Sequence, residues 1–228
     1  MISTCKKALV VAAHPDDEIL GCGGTIHRLS SSGAEVDILI LADGESSRKE
    51  ENPDSRMSAR EKQAAKAAAI LGANKPQLLN LADQRLDTYP LLEIIQSVED
   101  IVERIKPDVV LTHHEHDLNA DHRICHQAVV TACRPLPGST FRGIYAFEIP
   151  SSTDFAFGKG GEGFQPSCFV DITQNFSAKI EALKCYEQEM RPAPHPRSYN
   201  SIDCLARLRG SGVGIPYAEA FVPVWEKF

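Results

Sequence analysis

The sequence lacks the long apolar runs and the basic stripes that mark membrane proteins and nucleic acid binders. No apolar run approaches the roughly 18 residues that a membrane helix requires, and the run at residues 8–13 is too short for the core of a secretory signal. The 24 basic and 31 acidic residues give a net charge of −7, whereas phosphate backbones and anionic membranes attract cations. We therefore expect a cytoplasmic protein that inserts into no membrane and binds no nucleic acid.

Cysteine pairs and nucleotide fingerprints are missing as well. The seven cysteines are odd in number and form no Cys-x-x-Cys pair, which indicates reduced, buried thiols. No G-x-G-x-x-G fingerprint follows the first apolar run, and no Gly-Lys-Ser or Gly-Lys-Thr follows "LGCGG" at residues 20–24. A dinucleotide site and a P-loop are therefore not indicated. We expect these glycines to let the start of a helix approach the loop that precedes it.

Short apolar runs alternate with helical patterns through the first two-thirds of the chain. Strands are predicted at residues 8–13, 35–42, 77–82 and 108–113, and helices at about 17–32, 58–71, 91–105 and 121–133. Alternation of this kind implies right-handed crossovers. We predict an α/β fold with a Rossmann-like, doubly wound and mostly parallel sheet that carries helices on both faces.

The last third of the chain is less regular. Strands are predicted at 142–149, 167–173 and 219–224, helices at 177–190 and near 201–209, and a glycine-rich loop at 158–164. A charged loop at 43–55 has the composition of a mobile segment. No linker or repeat divides the sequence, so we predict a single domain over residues 1–228, a length that allows a large core.

Histidine and acidic side chains follow two of the predicted strands at their carboxyl ends. The first strand runs into His14, Asp16 and Asp17, and the fourth runs into "HHEHDLNADHR" at 113–123. Ligands of open α/β sheets bind outside these ends, and the common strand order 3-2-1-4 would place the two clusters face to face. A catalytic zinc ion usually takes three protein ligands and a water. His14, His122 and one of Asp16 or Asp17 can supply them.

The adjacent aspartates suggest two separate roles. One carboxylate would bind the cation, which offsets the repulsion between the neighbours, while the other takes a proton from the water that the metal activates. Zinc can lower the pKa of that water to about 7, so a carboxylate becomes an effective base at neutral pH. Taken singly, a His-Pro turn and an acidic helix start are ordinary structural features. Their combination favours a metal site.

Several segments, in the right order, match one known family. "AHPDDE" stands before a glycine-bearing helix start, and "DH" follows the fourth predicted strand. "SAREKQAAKAAAILGA", "LADQRLD", "FVDITQNFSAKIEALKCYEQEM" and "GIPYAEAF" come later. On these segments nearly the whole chain resembles the PIG-L/LmbE superfamily of zinc-dependent de-N-acetylases.

The resemblance implies a hydrolase that removes the acetyl group from an N-acetylated amino sugar or glycoconjugate. It assigns three side chains to zinc, namely His14, Asp17 and His122, and it makes Asp16 the general base. It places Arg60 and Asp83 in the sugar-binding pocket. Fe²⁺ or another divalent metal would suit the same two histidines and one carboxylate, and the family makes a homo-oligomer plausible.

One position departs from the family pattern. Many members have a histidine three residues before the last zinc ligand, which polarises the scissile carbonyl and is oriented by the following aspartate. Here that position is Asn119, although Asp121 is retained. An asparagine amide can donate a hydrogen bond to an oxyanion but cannot deliver a proton. Among the histidines of the same loop, His116 is the preferred candidate to replace it.

Basic residues in the last third suggest an acidic ligand. His195 and Arg197 lie in a turn-rich stretch, and arginine forks suit phosphate or carboxylate. A nucleotide sugar or an acidic glycan is one interpretation, and a solvated loop is the other. Two alternatives to deacetylation stay open: an amidase that cuts a larger amide conjugate, and a metal- or nucleotide-binding module with weak or no catalysis.

Overall fold

The computed structural model describes residues 2–47, 53–157 and 163–227. The predicted charged loop at 43–55 and the glycine-rich loop at 158–164 therefore lie partly outside the described residues. Within the described part of the chain, no helix is both long and apolar enough to cross a membrane.

One seven-stranded sheet runs through the molecule in the order β3-β2-β1-β4-β5-β7-β6. Its strands are β1 (Lys7–Ala12), β2 (Glu35–Ala42), β3 (Gln77–Leu81), β4 (Val109–His113), β5 (Gly143–Phe147), β6 (Cys168–Asp171) and β7 (Ala218–Glu226). The first five strands are parallel, and β7 runs antiparallel to both β5 and β6. The mostly parallel, Rossmann-like sheet and its 3-2-1-4 order are confirmed.

Six α-helices in the described residues accompany the sheet. They are α1 (Asp17–Ser31), α2 (Pro53–Ile70), α3 (Leu91–Ile105), α4 (Ala120–Ala132), α5 (Phe176–Leu183) and α6 (Tyr199–Ser211). Helix α2 starts five residues before the predicted Ser58, since a proline suits the first helical position. The helix predicted at 177–190 ends as an α-helix at Leu183 and continues as a 3₁₀-helix over Lys184–Glu189.

Apolar side chains fill both faces of the sheet. On β1, Val10 joins the core under α1 and α2, whereas its neighbours Leu9 and Val11 join the core under α3 and α4. All three residues are fully buried. The run at β1 is continuously apolar because helices cover the strand on both sides, as parallel sheets require.

Two glycines of "LGCGG" set how closely α1 packs against the sheet. A Cβ atom at Gly24 would lie 2.8 Å from Ile172 Cδ1, and one at Gly21 would collide with the Phe147 ring. We expected these glycines to serve the loop before the helix. Instead they allow close packing against side chains at the ends of β5 and β6, which fixes the position of the helix start.

Candidate active site

The loops that follow β1 and β4 meet at the carboxyl edge of the sheet. The two strands are parallel neighbours, with Ala8 opposite Val109. The His14 ring lies in the loop after β1 and the His122 ring in the first turn of α4, and their centroids are 5.3 Å apart. The predicted meeting of the two clusters is therefore confirmed.

Two buried imidazoles converge on one oxygen of a buried carboxylate. Asp17 Oδ2 lies 3.2 Å from His14 Nδ1 and 3.2 Å from His122 Nε2, and one ligand atom from each residue fits within 4.8 Å of the others. Tetrahedral zinc with bonds of about 2.0–2.2 Å would hold its ligand atoms about 3.3 Å apart. The spacing of these three atoms fits a small divalent cation.

Unpartnered polar atoms support the same interpretation. Asp17 Oδ1 and both ring nitrogens of His122 are buried and form no hydrogen bond among the described residues. An unsatisfied buried polar atom costs about 1–3 kcal/mol, and more when it is charged. A cation placed among these atoms would remove that cost, so the donor set fits the metal that the resemblance implies.

A carboxylate backs each of the two histidines. His14 Nε2 lies 3.1 Å from Asp121 Oδ2 and 3.1 Å from Asp83 Oδ1, and His122 Nδ1 lies 3.2 Å from Asp117 Oδ1. We assign the ring protons to these nitrogens, because metal-binding histidines donate their second nitrogen to an acceptor. His14 Nδ1 and His122 Nε2 would then offer their lone pairs to a metal beside Asp17.

His14, Asp83 and Asp121 form a second group with ligand atoms close enough for a metal. Asp121 Oδ1 also accepts a hydrogen bond of 3.1 Å from the Leu86 amide. We therefore treat this group as the hydrogen-bonding support of His14. Asp121 was predicted to orient a group at position 119, and its observed side-chain partner is a candidate metal ligand instead.

Opposite charges fix the protonation of the ligand set in the metal-free protein. Burial opposes ionisation of Asp17, but His122 and His14 hold its pKa well below the usual range. Burial also disfavours a charged His14, yet Asp121, Asp17 and Asp83 raise its pKa well above normal. Asp17 is therefore anionic, and a metal bound here would displace a proton from His14.

Asp16 lies next to this set in sequence but contacts a guanidinium instead of an imidazole. Arg197 Nη1 lies 3.0 Å from Asp16 Oδ2, and Arg197 Nε donates a 2.8 Å hydrogen bond to Ser151 Oγ. The Asp16 backbone has a φ of 121°, a strained conformation held by a 3.0 Å bond from its amide to Glu18 Oε2. Burial raises the pKa of Asp16 to about 6, although the positive charge of Arg197 acts in the opposite direction.

A cavity of about 220 Å³ opens beside Asp16. Most of the predicted site residues line it, namely His14, Asp16, Arg60, Asp83, Asn119 and Arg197. Arg60 is 3% exposed, and its Nε donates to Glu45 Oε1 at 2.6 Å. The pocket and the ligand set share His14, so a small substrate there lies next to the candidate metal.

The two sides of the Asn119 amide have different surroundings. Asn119 Oδ1 accepts a 2.9 Å hydrogen bond from the Asp121 amide, which caps α4. Asn119 Nδ2 donates no hydrogen bond to any of the described residues. Because the cap fixes the oxygen, the amide nitrogen is left as a donor at the pocket wall.

Two predicted residues belong neither to the pocket lining nor to the candidate ligand set and its supporting carboxylates. His116 sits in the loop after β4, where its ring centroid is 5.7 Å from that of His114. His195 is half-buried, and its Nδ1 accepts a 3.0 Å hydrogen bond from the Arg197 amide. Neither side chain is among the described residues that line the cavity. His195 is placed to support the backbone at Arg197.

Sequence reasoning missed Asp117 and Glu18. Asp117 contacts His122 Nδ1 and accepts hydrogen bonds from Ser152 and Thr153. The sequence contained a signal for Asp117. A metal-binding histidine needs an acceptor for its second ring nitrogen, and Asp117 stands just before α4, which carries His122. Glu18 follows Asp17 at the acidic start of α1, and it is buried and accepts a 2.8 Å hydrogen bond from Tyr186.

Sequence comparisons place this geometry among known proteins. A family model described as "PIG-L: GlcNAc-PI de-N-acetylase" matches residues 9–133. "Uncharacterized deacetylase YaiS" of Escherichia coli K12 is 32% identical over 185 residues, which cover 78% of this chain and 89% of that protein. A probable N-acetyl-alpha-D-glucosaminyl L-malate deacetylase of Bacillus cereus is 25% identical over 81% of this chain and 84% of its own. Diacetylchitobiose deacetylase of Thermococcus kodakarensis is 26% identical over 96% of this chain and 84% of that protein.

Solved structures share the whole fold. N,N'-diacetylchitobiose deacetylase of Pyrococcus horikoshii superposes with a TM-score of 0.79 at 22% identity, over 98% of this chain and 85% of its own. GalB of Pseudomonas putida, a 4-carboxy-2-hydroxymuconate hydratase, superposes with a TM-score of 0.78 at 25% identity over 98% of both chains. Since the family model covers more than half of the sequence and the E. coli relative most of it, the chain belongs to the PIG-L family.

Proposed function

We propose that the protein is a divalent metal-dependent hydrolase that removes the acetyl group from an N-acetylated amino sugar or glycoconjugate. The observation that carries this proposal is the buried set His14, Asp17 and His122, with Asp16 beside it at the wall of a sugar-sized pocket. Family membership and the deacetylase names of the relatives support the same reaction.

The chemistry that zinc supplies with such ligands is polarisation of a carbonyl and activation of water at neutral pH. Fe²⁺ suits the same two histidines and one carboxylate. Asp121 and Asp117 lie beside the second ring nitrogens of His14 and His122, which favours the tautomers that a metal requires, and Asp17 contributes the negative charge. These supports favour the ligand set over a purely structural cluster of histidines.

Asp16 is the proposed proton carrier. Its carboxylate takes a proton from the attacking water, whose oxygen adds to the acetamide carbon, and later delivers a proton to the departing nitrogen. The carbon–nitrogen bond breaks, and acetate and a free amine leave. Arg197 and the Glu18 contact to the Asp16 amide keep this carboxylate directed at the pocket.

Asn119 Nδ2 is the proposed donor to the oxygen that becomes negatively charged during attack. The cap on α4 holds the amide in one orientation before substrate arrives, and a donor fixed in this way stabilises developing charge. Asp83 and Arg60 are proposed to contact the sugar hydroxyls from the far side of the pocket. His116 is the alternative donor, although it lies outside the described pocket lining.

The direct test is a product assay on the zinc-loaded protein. N-acetylglucosamine, N,N'-diacetylchitobiose and N-acetylglucosaminyl L-malate are offered in turn, and acetate and free amine are measured. We expect equal amounts of both products from at least one of these sugars, loss of activity with a chelator and recovery with zinc. Absence of acetate from all of them, with release of a larger acid from bulky amides, would point to the amidase alternative.

The role of Asp16 has its own test. Asp16→Asn should lower kcat by about 10²–10⁴-fold, the usual contribution of a general base, while bound zinc stays near the wild-type amount. Asp100→Asn on the exposed face of α3 is the matched control and should leave kcat unchanged. Wild-type turnover in the Asp16 variant would remove Asp16 from the mechanism.

A hydratase is the second candidate, because GalB matches this chain at 25% identity over 98% of both chains. Addition of water to a carbon–carbon double bond can use the same activated water and the same base. An unsaturated carboxylic acid would then lose its ultraviolet absorbance without releasing acetate. The product assay therefore separates the two reactions.

A further inference from the structure

The last residue of β4, His113, is a buried histidine that the proposed mechanism does not use. Its ring is fully buried, and its Nε2 accepts a 2.9 Å hydrogen bond from the Ala13 amide. A backbone N–H can only donate, so His113 Nε2 carries the lone pair and Nδ1 carries the proton. Because that lone pair is engaged, His113 is not itself a candidate metal ligand.

The hydrogen bond to Ala13 holds the chain directly before His14. Ala13 is the first residue after β1, and its carbonyl accepts a 2.8 Å hydrogen bond from the Ala42 amide at the end of β2. The His113 ring supplies the partner on the opposite side, where β4 lies. Ala13 is therefore held by both neighbouring strands, which fixes the direction in which His14 leaves the sheet.

The same ring packs against the other histidine of the candidate ligand set. The His113 and His122 rings are stacked, with their centroids 3.9 Å apart and an angle of 24° between their planes. Phe147 packs edge-on to His113 at 4.9 Å, and Asp17 Oδ2 lies 3.6 Å from His113 Nε2. One side chain thus contacts two candidate ligands and the residue that precedes the third.

The backbone of His113 is tied to α4 as well. His126 Nδ1 lies 2.7 Å from the His113 carbonyl oxygen, and a carbonyl can only accept, so His126 donates this hydrogen bond. His126 follows His122 by four residues and lies on the same face of α4. The bond therefore docks the first turns of α4 on the end of β4, where the two stacked rings meet.

We propose that His113 is a positioning residue, which sets the separation of His14 and His122 and thereby the affinity of the site for its metal. The proposal deepens the proposed function and rests on the metal site within it. Side chains that orient metal ligands without binding the metal typically contribute 10–100-fold to affinity. A phenyl ring would also stack on His122, but only an acceptor such as the imidazole Nε2 can hold the Ala13 amide.

Two substitutions separate the hydrogen bond from the space that the ring fills. His113→Phe keeps a flat ring and loses the acceptor, so the Kd for zinc should rise about 10–100-fold, measured by competition with a chromophoric chelator. His113→Gln places an amide oxygen near the position of Nε2 and should bind zinc more tightly than the phenylalanine variant. A wild-type Kd in His113→Phe, or a glutamine variant that binds no more tightly, would overturn the proposal.

The phenylalanine variant should still fold. It leaves the Ala13 amide unpaired, but it also removes the Nδ1 donor of His113, which has no partner among the described residues. The number of buried, unpaired N–H groups therefore stays the same. Circular dichroism of each variant checks that zinc binding is compared between folded proteins.

Ile101→Ala is the control for a loss of stability alone. Ile101 is buried against the sheet in the half of α3 that leads to the start of β4, at the edge opposite the site. Its truncation should destabilise the fold and leave the Kd for zinc as in the wild type. An equal rise in Kd in this control would show that stability and not positioning sets the affinity.

A measurement on the wild-type protein needs no variant to fold. Long-range ¹H–¹⁵N NMR spectra distinguish protonated from bare imidazole nitrogens. The ring of His113 should show a proton on Nδ1 and none on Nε2, both before and after zinc is added. A proton on Nε2, or zinc coordination by this ring, would contradict the proposed role.

The proposed function fails separately from this inference, because zinc binding is measured without substrate. Absence of acetate from every N-acetylated sugar, with the expected order of zinc affinities, would remove the deacetylase and keep the role of His113. Acetate release by the wild type together with a wild-type Kd in His113→Phe would keep the deacetylase and remove that role.

Discussion

At the scale of residues, the adjacent carboxylates of Asp16 and Asp17 differ in what they contact. Asp17 Oδ2 lies between two imidazoles at 3.2 Å each, whereas Asp16 Oδ2 lies against a guanidinium at 3.0 Å. Opposite charges keep Asp17 ionised, and burial raises the pKa of Asp16 to about 6. One carboxylate is therefore suited to a cation and the other to carrying a proton near neutral pH.

The Asp16 pKa predicts the acidic limb of the pH profile. A general base acts only when it is deprotonated, so kcat/KM should fall as pH drops through about 6. A cation bound by Asp17 would lower the pKa of the neighbouring Asp16. The midpoint of the acidic limb should therefore lie at or below about pH 6. Arg197→Gln removes the positive charge that opposes the shift and should move the midpoint upwards.

Arg209→Gln is the matched control for this profile, because Arg209 pairs with Glu148 and not with Asp16. Its midpoint should equal that of the wild type. A wild-type limb centred above about pH 7 would contradict the assignment of Asp16 as the group that titrates.

The cap and the donor on Asn119 can be separated by substitution. Asn119→Ser keeps an oxygen that can cap α4 but removes Nδ2, so kcat should fall about 10²-fold, as for loss of an oxyanion donor. Asn119→Ala loses both atoms and should also lose about 1 kcal/mol of unfolding free energy. Stopped assays measure the loss of kcat, and urea titrations measure the loss of unfolding free energy.

His116→Ala is the control for this pair of variants. It should keep the wild-type kcat if Asn119 is the donor. Loss of kcat in His116→Ala together with normal kcat in Asn119→Ser would reverse the assignment and make His116 the donor.

At the scale of elements, α1 is interrupted at Cys22, whose φ and ψ of −146° and 23° are not helical. A buried ion pair replaces the missing helical hydrogen bonds there. Lys179 Nζ donates to the Leu20 carbonyl at 2.9 Å and to Glu219 Oε1 at 2.6 Å. Glu219 in turn accepts from the Gly24 and Thr25 amides at 2.9 and 2.6 Å. The pair therefore positions the first turns of α1, which carry Asp17 and Glu18.

Breaking that pair should destabilise the fold. Lys179→Met leaves Glu219 charged in a dry site, and we expect a loss of about 3–5 kcal/mol of unfolding free energy in urea titrations. The double variant with Glu219→Gln should lose less than the sum of the two single changes. Lys184→Met, which breaks the exposed pair with Glu181, should cost less than about 1 kcal/mol. A Lys179 variant no less stable than the Lys184 variant would contradict this account of the kink.

At the scale of the whole molecule, the candidate ligands join two distant parts of the chain. His14 and Asp17 come from the end of β1 and the start of α1, and His122 comes from the first turn of α4. These atoms lie together only in the folded state, so a metal that binds them stabilises that state. The candidate metal site therefore depends on the strand order, which places β1 next to β4.

Zinc should therefore raise the thermal stability. At a free concentration about 1,000 times Kd, the added stability is about 4 kcal/mol, measured as a shift in Tm between chelator-treated and zinc-loaded protein. His122→Asn should abolish the shift, whereas His116→Asn, which changes a histidine outside the ligand set, should keep it. An equal shift in all three proteins would place the zinc elsewhere.

The order of apolar runs and turn residues was enough to predict the sheet, its helices and the clusters at two strand ends. Local signals sufficed there, because strand periodicity and helix boundaries depend on neighbours in sequence. Tertiary structure alone decided which side chains face each other: Asp117 behind His122, Asp121 behind His14, and Asp16 against Arg197. The Asp121 and Asp16 contacts join residues that are far apart in sequence, and all three pairs of charges interact strongly only once folding has removed the water between them.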